Sequence, residues 1–373
     1  MLPTTKTVGR LGVVGLAGVI AATSGSEVLA KKKALRDLSP LVFDASKRKK
    51  TKKRITERLS YSAYTSLRFQ GENNIKLDDG LADKSDEFAA YVGAAARFRI
   101  SENVLAFAHV ELDMRKKTTH SREYDLVKKL KVKETLVSFK FGNVNAVTIG
   151  RMRFSDADKW IADASVDGVH FAYKAPGRAF EVAVFRDVFN DAGKYALVHA
   201  TRFSKKGHSG VYVLAEETNA QRRLHVIGYA KKNLSEHFSF TLHGAGVFGD
   251  TENGTAAGVG FDARATYKFD LPNKPQVTFG LAAGTEGFRQ TGLHSNKTYD
   301  GGQTQFNRYG YVFQPELTNL AAATVSLGLR PSRNFSVDLG AHFYMQVSPT
   351  TTAPIARVRG STNGTSGFLG SEL

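Results

Sequence analysis

The 373-residue chain has no cysteine. That excludes a disulfide-stapled domain and any thiolate-bound zinc or iron–sulfur site, and it suits a protein that crosses an oxidising periplasm. The chain also lacks an apolar run long enough for a membrane-spanning helix, which needs about 20 residues. The longest candidate, Leu11 to Ala22, falls short. If this chain enters a membrane, it does so as strands. Tryptophan occurs once, at position 160, and acid is scarce: 35 Asp/Glu face 52 Lys/Arg, a net charge of +17.

That excess is concentrated. Residues 1–58 carry 14 Lys/Arg against 4 Asp/Glu, including the run SKRKKTKKR at 46–54. A block of like charges is a solvated tail able to touch an anionic surface. No nucleic-acid-binding module accompanies it, so nucleic acid is not an expected partner. Ahead of it, Lys6 and Arg10 precede the apolar run and SEVLA follows. That order reads as a secretory signal cleaved after Ala30. The expected organisation is a signal peptide at 1–30, a basic segment without fixed structure at 31–56, and one folded unit at 57–373.

Beyond residue 56 the dominant signal is strict alternation. Phe335, Val337, Leu339, Ala341, Phe343, Met345 and Val347 alternate with Ser336, Asp338, Gly340, His342, Tyr344 and Gln346. Phe261–Phe269 and Val104–Arg115 repeat the dyad, as do 57–71, 88–100, 236–247 and 275–286. These runs reach the 9–11 residues that a tilted membrane strand requires, whereas sandwich strands average about five or six. Their polar faces carry whole ions such as Arg264 and Asp338. A sandwich core would not bury those unpaired, and a wet lumen would accept them. The expected fold is all-β, a transmembrane antiparallel β-barrel of the outer membrane with about sixteen strand-like segments and a monomeric barrel wall.

Three blocks carry a family resemblance: GRMRFSDADKWIADASVDGV at 150–169, FRQTGLHSNKTYDGGQTQFNRYGYVFQPELTNL at 288–320, and FLGSEL at 368–373. In this order they resemble the alginate export family of outer-membrane proteins. The resemblance implies an eighteen-stranded barrel with an electropositive lumen that exports an anionic exopolysaccharide, working with a periplasmic scaffold. It names no cofactor and no enzyme activity. In that family further strands follow the last block, and a barrel needs closed edges. The chain also ends without the terminal aromatic residue usual in such barrels. Both points lead to the expectation that the last one to three strands are missing here. The basic run at 46–54 has no counterpart in the family pattern.

A polyuronate presents one carboxylate per sugar, and a pore that passes it needs fixed cations tempered by acids. Arginine suits this because its planar fork matches a carboxylate. Strand parity places Arg68, Arg97, Arg99 and Arg264 on the polar face, with Lys268 beside Arg264 and Glu134 opposite Val137, Phe139 and Phe141. The second block adds Arg289, Lys297 and Arg308, with residues 287–305 expected as an extracellular loop or one folded into the mouth. Arg151 and Arg153 conflict with this pattern, because they share parity with Val147 and Ile149. A charge facing lipid at mid-depth costs about 2–4 kcal/mol. A bulge at Gly150 would flip both arginines inward. The following loop would then fold inward, with Asp156, Asp158 and Asp163 pairing the arginines and Trp160 and Asp167 anchoring it.

His109, His243 and His342 lie on separate polar faces without metal spacing, so hydrogen bonding in the lumen is their expected role. SDADKW lacks the glycine and distal glutamate of a calcium loop, and its carboxylates suggest glycoside hydrolysis only weakly. Three other readings remain open at this point. One is a general or small-anion diffusion porin, another a barrel enzyme acting on lipid or polymer, and the third an adhesin that conducts nothing.

Overall fold

In a computed structural model the described residues are 53–54, 58–73, 84–119, 123–142, 144–156, 158–188, 193–251, 254–291, 293, 307–310, 313–332, 335–349 and 367–372. The expected signal peptide, nearly all of the basic segment and Lys297 lie outside them.

Seventeen strands and no helix form among these residues. They begin with β1 (Lys53–Arg54), β2 (Leu59–Asn73), β3 (Lys84–Arg99), β4 (Val104–Thr119), β5 (Val127–Phe141) and β6 (Asn145–Ser155). The middle of the wall is β7 (Asp163–Ala175), β8 (Arg178–Asp187), β9 (Lys194–Ser204), β10 (Gly207–Glu217), β11 (Gln221–Asn233) and β12 (Phe238–Thr251). It ends with β13 (Gly254–Lys268), β14 (Gln276–Gly284), β15 (Leu320–Ser332), β16 (Phe335–Gln346) and β17 (Phe368–Glu372). Each strand pairs antiparallel with its sequence neighbour, from β1–β2 through β16–β17. Among the described residues no ladder joins β17 to β1 or β2.

Burial runs inside out relative to a soluble protein. On β13, Asp262 and Arg264 are buried while Val259, Phe261 and Tyr267 are exposed. On β8, Glu181 and Asp187 are buried while Phe180, Val182 and Val184 are exposed. On β16, His342 and Tyr344 are buried while Phe343 and Met345 are exposed. Polar groups thus face a shared interior and aliphatic ones face out, the arrangement that lipid demands of a barrel. Short turns such as 176–177 and 205–206 close one end, and the long connections 285–319 and 347–367 lie at the other. In outer-membrane barrels the short turns are periplasmic.

The outer surface shows where the membrane stops. Ile149, Val169, Val184, Ala196, Ala215, Leu224 and Phe248 form one unbroken cross-strand row over β6–β12. Two residues toward the long-loop end, the next outward row is Arg151, Asp167, Arg186, Lys194, Glu217, Arg222 and Asp250. An all-apolar row directly below an all-charged one marks the rim of the hydrocarbon layer, where charge costs little. Toward the short-turn end, Phe98, Phe141, Phe180, Tyr267, Phe269 and Phe335 are exposed, as an interfacial aromatic girdle should be.

These rows correct the expectation for the first sequence block. The β5–β6 and β6–β7 ladders run through Gly150 without a register shift, so no bulge flips the strand. Arg151 and Arg153 remain on the outward face with Ile149. Gly150 is required for another reason: its φ is +118°, and an added Cβ would collide with the Thr135 carbonyl. The parity conflict is resolved by depth, since both arginines lie beyond the apolar row.

Candidate functional site

The inward face is mostly polar but carries an apolar patch that receives a plug. Met152, Phe154, Val166, Leu197, Leu214, Ile227 and Val247 point inward and are buried, together with Trp160, Ile161, Phe288, Leu293 and Leu317 from two connections. Those connections are 156–162, after β6, and 285–319, after β14.

The first folds inward around Asp156. Its carboxylate accepts the Trp160 and Ile161 amides, four and five residues on, at 2.8 and 2.7 Å, and the Tyr212 hydroxyl at 3.0 Å. Trp160 is fully buried, with its ring 5.4 Å from that of His243 and 6.1 Å from that of Phe288. Its Nε1 donates to Tyr309 Oη at 2.9 Å. The second connection binds the first through backbone groups. Gln290 Nε2 donates to the Trp160 carbonyl, Thr291 Oγ1 to the Ile161 carbonyl, and Arg308 Nη2 to the Asp158 carbonyl. The Asp163 amide donates to the Leu293 carbonyl at 2.7 Å. The wall makes room with glycine: a Cβ at Gly258 would meet the Phe288 backbone, and one at Gly284 the Leu317 carbonyl.

At the plug's centre five charged side chains and a histidine interlock. Asp158 Oδ2 lies 3.0 Å from His243 Nε2 and 3.4 Å from Arg264 Nη2, and its Oδ1 is 3.6 Å from Lys231 Nζ. Asp262 accepts Arg264 Nε at 2.9 Å, lies 3.3 Å from Arg308 Nη1, and takes the Tyr309 hydroxyl at 2.8 Å. Burial opposes the charged form of Asp158, but the His243 hydrogen bond and the charges of His243, Arg264 and Lys231 outweigh it. They hold this carboxyl well below the usual range. For Asp156 burial wins, and its carboxyl is pushed up despite the Ile161 amide and the charges of His243 and Arg308. Burial likewise lowers Arg289, which is half-buried in the second connection.

The residues singled out from the sequence separate into groups. Arg264 and Arg308 meet at the plug, joined by Trp160 as anchor. Arg68 faces inward, held by Glu87 at 2.6 Å, and Arg97 shares the inward face of β3. Glu134 also faces inward, 3.8 Å from His109 Nδ1. His243 bonds Asp158, and His342 Nδ1 is 2.9 Å from Thr324 Oγ1. Arg99 ends β3, exposed at the short-turn rim. Arg151 pairs with Asp167 at 2.8 Å, and Arg153 with Asp163 at 2.5 Å. Asp167 therefore serves the outer rim and does not anchor the plug as expected, whereas Asp163 joins rim and plug, its carboxylate also lying 3.7 Å from Lys159 Nζ.

Sequence reasoning missed a second inward cluster on β4 and β5. The ladder steps from His109↔Glu134 to Val110↔Val132, so Lys133 is an extra residue. That bulge lets Lys131 reach Asp113 at 2.6 Å and Lys133 reach Glu111 at 3.3 Å, while Arg115 holds Asp113 at 2.8 Å. The clue was present in KVKE, where Lys131 and Lys133 have opposite parity to inward Glu134. Also missed was a buried triad, in which Glu181 takes His170 Nε2 at 3.1 Å and His199 Nδ1 at 2.7 Å.

The profile of the alginate export family matches residues 58–373. No curated protein sequence matches the chain. Similar solved structures include OccK11 (OpdR) of Pseudomonas aeruginosa, with TM-score 0.53, 10% identity, and 80% of this chain and 82% of that one covered. OprB of Pseudomonas putida aligns with TM-score 0.45 and 12% identity over 77% of this chain and 88% of its own. An anion-selective porin from Comamonas acidovorans gives 0.44 and 10%, over 81% and 96%. At such identity the likeness to OccK11 is one of fold alone. Fold and family agree on a transport channel of the outer membrane rather than an enzyme. With its polar-in, apolar-out wall and the family profile running from Arg58 to Leu373, the chain belongs to the alginate export family of outer-membrane β-barrels.

Proposed function

We propose that this channel exports an anionic exopolysaccharide, a polyuronate of the alginate type, from periplasm to exterior. Alongside the family match, one observation supports the reading: the lumen's cations are numerous, and inward acids hold them. Arg68, Arg115, Lys131, Lys133, Arg223, Arg264 and Arg308 each lie within 4 Å of an inward carboxylate. A sugar carboxylate entering such a lumen exchanges with a protein carboxylate of the same charge and geometry. Binding is then weak at every step, which conduction requires. The arginine forks at 264 and 308 are both engaged by Asp158 of the plug, so polymer passage requires the plug to leave its seat. A periplasmic scaffold delivering the polymer belongs to the same reading.

Purified channels in planar bilayers test it. Oligouronates should block the current at concentrations where neutral oligosaccharides of equal length do not. Equal block by both, or by neither, would reject the polyuronate and leave a small-anion porin. Deleting the gene should make an acidic polymer accumulate in the periplasm.

A further inference from the structure

Seven lumen cations lie against inward carboxylates, whereas six at the short-turn mouth do not. Counting the turns at that end from β3–β4 through β13–β14, with the two flanking strand residues on each side, nine Lys/Arg face three acids, Glu102, Glu236 and Asp270. Arg99, Lys140, Lys174, Arg178, Lys205 and Lys206 are all exposed, and none forms an ion pair among the described residues. Arg178 even stands directly opposite Arg202 in the β8–β9 ladder. Facing like charges across a ladder is unfavourable in isolation, and a polyanion would relieve it.

We infer that this collar is a capture site for the polyanion, concentrating it at the periplasmic mouth before the paired lumen passes it outward. The inference rests on the polyuronate reading. Its physical content is directional. A ring of unneutralised charge at one mouth raises the encounter rate of an oppositely charged ligand from that side alone, by about 10 to 1,000-fold in known cases of steering. Exposed charges are screened within about 3 Å at 1 M salt, so the advantage disappears there. The internal pairs at Asp113, Asp158 and Asp262 supply no such attraction, because their field is already cancelled.

The test uses the full chain in planar bilayers with an oligouronate added to one side. Because the chain has no cysteine, an Asn233→Cys variant labelled by an impermeant thiol reagent reports which mouth faces which chamber. The expected result is a blocking on-rate at least about tenfold higher from the short-turn side at low salt, converging with the other side at 1 M. A K140Q/K174Q/K205Q/K206Q variant should lose that asymmetry while keeping its conductance and its block from the loop side. Equal on-rates from both sides in the parent channel would overturn the collar and leave the polyuronate reading standing. Block from neither side would reject both. Asymmetry that survives in the quadruple variant would also overturn the collar, as would a variant changed only in its retention by anionic lipid.

Discussion

Asp158→Asn is the perturbation that bears most directly on the plug. The substitution removes the charge that His243, Arg264 and Lys231 surround at 3.0, 3.4 and 3.6 Å. It keeps the side chain's shape and leaves the Asp158 carbonyl free to accept Arg308. Breaking a buried ionic cluster by removing one partner costs about 3–5 kcal/mol. Arg264 and Arg308 retain Asp262, so the lower figure applies, about 3 kcal/mol. At about 1.4 kcal/mol per decade, the plug's seated state should lose roughly a hundredfold in population relative to the unseated one. Trp160 provides the assay: it is the chain's single tryptophan and is fully buried in the plug. In D158N its emission should move to the red and become quenchable by acrylamide, and single-channel recordings should show long high-conductance episodes. A variant with blue, protected emission and parent-like current would refute the claim that this ionic knot seats the plug.

Three further outcomes follow from the same geometry. Gly258→Val pushes a side chain into the Phe288 backbone, so conductance should rise while the β signal in circular dichroism stays unchanged; a parent-like conductance would contradict the glycine seat. Reversal at Arg153, which is half-exposed on the outer rim beside Asp163, should leave ion selectivity unchanged, whereas Lys131→Glu, inside the lumen, should shift it toward cations; the opposite ranking in reversal potentials would reject the face assignment. Acid should act late. The depressed Asp158 stabilises the seat at every pH above its ordinary value of about 3.9, and that stabilisation is lost as pH falls through its lower seated value. The raised Asp156 has the reverse sign, contributing below its ordinary value and losing that contribution as pH rises. Trp160 quenching should therefore stay flat or fall from pH 7 to about 4 and increase only below it; release near pH 6 would contradict both assignments.

Alternation by itself determined the fold class and the facing of nearly every strand, because a period of two fixes which side chains share a surface. Asp338, Arg264 and Glu134 could be turned inward by parity alone, and Phe261 and Phe343 outward. Depth is different, since nothing in a two-residue period says how far along the wall the hydrocarbon ends. Arg151 and Arg153 looked like charges in lipid until seven strands, aligned in register, placed them beyond the last apolar row. The plug's partners were equally out of reach of local reading. Trp160 meets Gln290 and Tyr309 across 130 and 149 positions of sequence, and the apolar inward patch from Met152 to Val247 breaks the polar-in rule to receive them. The sequence determined a barrel wall with charge inside it. Only the tertiary structure decided which of those charges meet, because their contacts depend on a loop returning into the lumen rather than on the strand that carries each residue.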